Sequence, residues 1–175
     1  MTESTRRGAR PLLAVLLATY LVILVWLVLW KLHAPYISSS GTGTIKLVPF
    51  VSTASAGSSA TSEVMGNVLV FVPFGVYLGL LSPPRTWWRA LCAIAATSIT
   101  LEIAQFVLGV GVTDISDVIA NTGGGIIGLA LVAVFGRGRA ASSALRAVCV
   151  VATAAALIAL VIYIGAPAPH PLRLM

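Results

Sequence analysis

Five runs of apolar residues alternate with short polar or basic segments along the 175-residue chain, and this pattern predicts helices that cross a bilayer. At 1.5 Å per residue, about 20 apolar residues span a hydrocarbon core of roughly 30 Å. Residues 11–30 meet that length directly after a polar, basic segment at 1–10. No small-residue cleavage pattern follows, so the run reads as an uncleaved first helix and not as a signal peptide. The second run, 64–81, contains Pro73 and Gly75. A proline removes a backbone donor and crowds the carbonyl four residues earlier, so a kink or break is expected near the middle of this helix. The third run covers 90–108, a tight GVGVT turn leads into a fourth at 114–135, and a fifth occupies 147–164 before a short tail at 165–175. Residues 31–63 form the one long connection, rich in Ser, Thr and Gly. Its apolar island IKLVPFV at 45–51 is expected to dip into the membrane interface.

Composition turns this pattern into a fold class. Hydrophobic residues make up 58% of the chain and charged residues 9%, far from the roughly 25% charged residues of a soluble domain. The expectation is an all-α, multi-pass integral membrane bundle of five helices. Within it, residues 64–164 form a four-helix region after the first span and the long loop. The net charge of +6 does not point to nucleic acid, because the basic residues carry no aromatic-interleaved motif. GTGTIK at 41–46 lacks the spacing of a phosphate loop, which excludes nucleotide binding through that motif. Cys92 and Cys149 stand singly inside apolar runs and read as small buried hydrophobes.

The basic residues also orient the bundle. With a cytoplasmic N terminus, Arg6, Arg7, Arg10, Arg85, Arg89, Arg137, Arg139 and Arg146 fall inside, and only Lys31, Lys46 and Arg173 outside. That asymmetry is the one the positive-inside rule demands. The long loop and the GVGVT turn then face outward.

Against this background the acids are the anomaly. Glu102, Asp114 and Asp117 are three of the chain's five acidic residues, and all lie in or at the edge of apolar spans. A carboxylate at the centre of a membrane helix costs about 2.5 to 3.5 kcal/mol. Ser98, Glu102 and Gln105 share one helical face by their spacing, and Asp114, Asp117 and Asn121 share another. Asn67 enters the same outer half from the second helix. Lipid satisfies none of these groups, so the faces are expected to turn toward each other or toward water. Each has a structural alternative: Asp114 as a helix N-cap with Asp117 in the first turn, and Asn67, Gln105 and Asn121 as interhelical hydrogen-bond glue. Gly75 with Gly79, and Gly124 with Gly128, have the four-residue spacing of close helix packing. Three acids with no cation in their own spans would suit a divalent metal ion held with a lipid phosphate, with Glu102, Asp114 and Asp117 as ligands.

These residues also carry a likeness. KLVPF at 46–50, NVLVFVPFG at 67–75, E-x-x-Q at Glu102 and Gln105, and D-I-x-D-x-x-x-N-x-x-G from Asp114 through Asp117 and Asn121 to Gly124 resemble successive blocks of the VanZ-like membrane proteins. The resemblance implies a small multi-pass protein of the bacterial plasma membrane. The family's namesake is associated with low-level resistance to teicoplanin, a glycopeptide acting on cell-wall precursors outside the membrane. By block matching it implies Asn67, Pro73, Glu102, Gln105, Asp114, Asp117 and Asn121 as site positions. Two departures stand out: Gly111 where the family often has Arg, and Lys46 where it has Asn. Lys46 is either an exposed loop lysine, the simpler reading, or a replacement cation folded over the acids.

The expected function is binding of an amphipathic cell-envelope lipid or glycopeptide at an outer polar cavity, altering its availability or antibiotic access. The alternatives are an intramembrane enzyme acting on a lipid-linked phosphate and a lipid transporter. The spans contain no His and no convincing nucleophile, which weighs against the first, and no visible inverted repeat, which weighs against the second.

Overall fold

The computed structural model describes residues 3–30, 44–51, 61–110, 112–136 and 138–165. Within them the chain runs α1 (Glu3–Trp30), β1 (Thr44–Lys46), α2 (Thr61–Leu81), a 3-10 turn (Pro84–Thr86), α3 (Trp87–Leu108), β2 (Val112–Asp114), α4 (Ile115–Phe135) and α5 (Arg139–Gly165). Five helices are long and apolar enough to cross a membrane, one for each apolar run of the sequence. The protein is an all-α multi-pass bundle with one small addition, a two-stranded parallel ribbon.

The starts of α1 and α5 differ most from the apolar runs. α1 starts at Glu3 and takes in the basic segment, and α5 starts at Arg139. Hydropathy reports where lipid begins, whereas backbone hydrogen bonding carries a helix past the bilayer edge. α2 is not broken at Pro73 but stays helical from Thr61 to Leu81. Proline leaves the Leu69 carbonyl without its helical donor. The next carbonyl along, that of Val70, accepts a 2.7 Å hydrogen bond from the Tyr20 hydroxyl on α1.

α2 and α4 run parallel at the centre of the bundle. A methyl at Gly124 would overlap the Val68 carbonyl, and one at Gly128 the Val72 carbonyl, so the two backbones touch along this seam. Gly75 faces the Gly125 backbone, and Gly79 packs on Val132. Contact this close replaces the hydrophobic drive that lipid removes. The seam fixes α4 against α2, and Ile94 of α3 closes on Gly125.

The remaining core lies between α1, α2 and α5, around Tyr20, Leu24, Phe71, Phe74, Tyr77, Leu145 and Cys149. Cys92, in contrast to its expected burial, lies on the exposed face of α3. At the end holding the 3-10 turn, Trp87 and Trp88 are exposed and the Arg89 guanidinium sits 5.2 Å from the Trp88 ring. Aromatic and basic side chains in that combination suit the membrane–water boundary.

Candidate functional site

The ribbon at the opposite end joins two loops far apart in sequence. Thr44 lies opposite Val112, Ile45 opposite Thr113 and Lys46 opposite Asp114. Parallel strands need a crossover, here supplied by α2, the turn and α3. Side chains paired in a ladder share a face, so the register places Lys46 and Asp114 on the same side of the ribbon. The Lys46 ammonium donates to Asp114 Oδ2 at 2.9 Å, and Lys46 is only 2% exposed. It is therefore not the exposed loop lysine of the simpler sequence reading.

Asp114 carries two tasks at once. It is the N-cap of α4: its Oδ1 accepts from the Ser116 backbone N–H at 2.8 Å and from the Ser116 hydroxyl at 2.7 Å. That satisfies one of the orphan donors at the helix start and places the negative charge where the helix dipole favours it. Its other oxygen holds Lys46. Ser116 Oγ in turn accepts from the Phe50 backbone N–H at 2.8 Å, at a residue whose φ of 60° lies in the left-handed region. The short chain after β1 is thus tied down at both Lys46 and Phe50.

Glu102 lies beneath the ribbon. Its Oε2 accepts from the Asp114 backbone N–H at 2.9 Å, and its own carbonyl accepts from the Thr113 hydroxyl at 3.1 Å. The carboxylate of α3 thus orients the strand that leads into α4. One helical turn deeper, Asn121 Nδ2 donates to Ser98 Oγ at 3.1 Å. Asp117 is buried in the first turn of α4. Gln105 turns another way: its Nε2 donates to the Val28 carbonyl at 3.0 Å, capping the last turn of α1, where carbonyls lack helical donors.

The structure thus brings Lys46, Glu102 and Asp114 together, sets Asn121 below them and directs Gln105 to α1. Asn67 sits on α2, half-buried, with its Nδ2 buried and without a hydrogen-bond partner among the described residues. Gln105 Oε1 and Asn121 Oδ1 are buried and unpartnered in the same sense. Among the described residues, no group of three or more His, Cys, Asp or Glu is placed to hold a metal ion. Gly111, one of the two departures from the family pattern, lies outside the described residues, as do His33 and His170.

Ser116, Thr113 and the Phe50 amide escaped the sequence reading. The signal for Ser116 was present in D-I-S at 114–116, the spacing at which an N-cap carboxylate meets the second residue of its helix.

A model of the VanZ/LLP1 family matches residues 17–136, more than half of the chain. The chain belongs to the VanZ family. Over 118 residues it is 39% identical to a protein of Enterococcus faecium named Protein VanZ, covering 66% of this chain and 70% of that one. No solved structure matches it. The match to the VanZ family begins within α1 and ends at the close of α4, so it takes in the ribbon, Glu102, Asp114, Asp117 and Asn121, and leaves out α5. With five spans and this membership, the protein is a multi-pass bacterial membrane protein.

Proposed function

We propose that this VanZ-family protein binds an amphipathic cell-envelope lipid or glycopeptide at the polar cluster around Lys46, Glu102 and Asp114, and alters its availability or antibiotic access. Contribution to resistance of the teicoplanin type belongs to this reading. The N terminus is cytoplasmic and the cluster faces outward, as the distribution of basic residues favours.

One observation carries the reading: a buried lysine–aspartate pair at the end of a membrane bundle that also buries amide atoms of Asn67, Gln105 and Asn121 satisfied by no described residue. Burying an ion pair among helices gives little net stability compared with apolar packing. Buried polar atoms without partners cost about 1–3 kcal/mol each. A bundle already held by a glycine seam gains nothing structural from them, whereas a polar head group arriving there gains donors and acceptors at low dielectric.

The test is mass spectrometry of lipids co-purified with the wild type and with Glu102→Gln. Glutamine keeps an acceptor for the Asp114 N–H and removes the charge. The reading expects one envelope lipid class enriched with the wild type and depleted with the variant, together with reduced glycopeptide protection in cells. Identical lipid profiles and identical protection would overturn it.

A further inference from the structure

The ribbon is inside out. Its buried face carries the charged pair Lys46 and Asp114, while Ile45 and Leu47, on either side of Lys46, are exposed, Leu47 by 74%. Val48, Phe50 and Val51 continue the exposed apolar row. A strand over a soluble core shows the opposite polarity, apolar inward and polar outward. A row like this is stable where the outside is itself apolar.

Its depth agrees. Thr113 bonds the Glu102 carbonyl, six residues short of the end of α3 at Leu108, which is about 9 Å at 1.5 Å per residue. A three-residue strand covers about 10 Å. β2 therefore folds back down along the last turns of α3 and does not leave the bundle. β1 runs parallel beside it, and Lys46 reaches the same level. Ile103 and Val107, on the exposed face of α3 at this height, belong to the surface that meets lipid.

We propose that residues 45–51 form an interfacial lipid-contact element, with Ile45, Leu47, Val48, Phe50 and Val51 immersed at the head-group and acyl-chain boundary of the leaflet at this end of the bundle. The partner is the lipid surface itself. Open strand edges do not lie in the hydrocarbon centre, where their backbone groups would find no partner, but the interface supplies water and head groups to them. The ties at Lys46 and Phe50 hold the segment flat against the bundle so that its apolar row faces outward. This proposal does not depend on the ligand-binding reading above.

Spin labels test it in the full-length protein in phosphatidylcholine liposomes. Cys92→Ser removes the exposed native thiol, and Cys149 is fully buried. Labels go at Leu47→Cys and Val48→Cys, with Ser62→Cys at the exposed start of α2 as the aqueous standard and Val107→Cys as the lipid-facing standard. Collision rates are measured with oxygen, which concentrates in lipid, and with a water-soluble nickel chelate. The expected result is oxygen access near that of Val107 and loss of most of the nickel access seen at Ser62. Nickel access equal to that at Ser62 overturns the proposal. So does protection from both reagents, which would mean that protein covers the segment.

Discussion

Two buried polar clusters in this bundle differ in one respect. In the first, between α1, α2 and α5, the Tyr77 hydroxyl donates to the Cys149 carbonyl at 2.9 Å and lies 2.6 Å from Thr153 Oγ1. Thr153 donates back to the Cys149 carbonyl, Tyr20 donates to the Val70 carbonyl, and the two tyrosine rings lie 5.8 Å apart. Every hydroxyl there has a partner, and none of the three side chains that carry them is charged. In the second, around the ribbon, charges are buried, and amide atoms of Asn67 on α2, Gln105 on α3 and Asn121 on α4 lack partners among the described residues. The closed cluster is what helix association in lipid needs: hydrogen bonds that stitch α5 to α2 and α2 to α1. The open one exceeds that need, and the excess separates a candidate site from glue.

Lys46→Met should have the largest effect on this contrast. It leaves the Asp114 carboxylate buried without its cation, which costs about 3–5 kcal/mol when one partner of a buried pair is removed. Thermal unfolding in detergent should show a large fall in Tm. Adding Asp114→Asn should recover much of it, because the uncompensated charge is then gone. No recovery would mean that Lys46 stabilises the ribbon through something other than Asp114.

Tyr77→Phe comes next. It removes the hydroxyl bonds of the closed cluster, worth about 0.6–1 kcal/mol in a membrane interior. A small fall in Tm is expected, with co-purified lipid and glycopeptide protection unchanged. If lipid binding dropped with this variant, the closed cluster would belong to the site.

Asn67→Leu should act in the reverse sense and with the smallest effect on the fold. Replacing an unsatisfied amide with an apolar group of similar size is neutral or stabilises by up to about 1 kcal/mol. Tm should hold or rise slightly while lipid co-purification falls. A loss of stability as large as that of Tyr77→Phe would erase the distinction between open and closed clusters.

Much of this architecture is written locally. Hydropathy along the chain marks five spans, and the glycine spacings mark the α2–α4 seam, where backbones touch at Gly75, Gly124 and Gly128 and Gly79 meets the Val132 side chain. The polar spacing also places Glu102 and Asp114 at the same end of the bundle. Pro73 shows the limit of such reading: the proline rule predicts a kink or break, and α2 stays helical through it, from Thr61 to Leu81, in the packed bundle. Cys92 shows another: an apolar neighbourhood in sequence is equally compatible with a lipid-facing position.

What the amino-acid sequence determined by itself is therefore the five helices, their order and the height of the polar groups within them, since hydropathy and helical period depend on neighbours a few residues away. Which groups meet was decided only by the tertiary structure. Lys46 and Asp114 are separated by two helices and a turn, and the apolar island around 46 has no local signal that it will pair as a strand. The parallel course of α2 and α4, set by their glycine contact, brings both helix starts to one end and aligns the chains that lead into them. Because that alignment is made by packing between distant segments, it settled that the cation for Asp114 comes from the loop before α2.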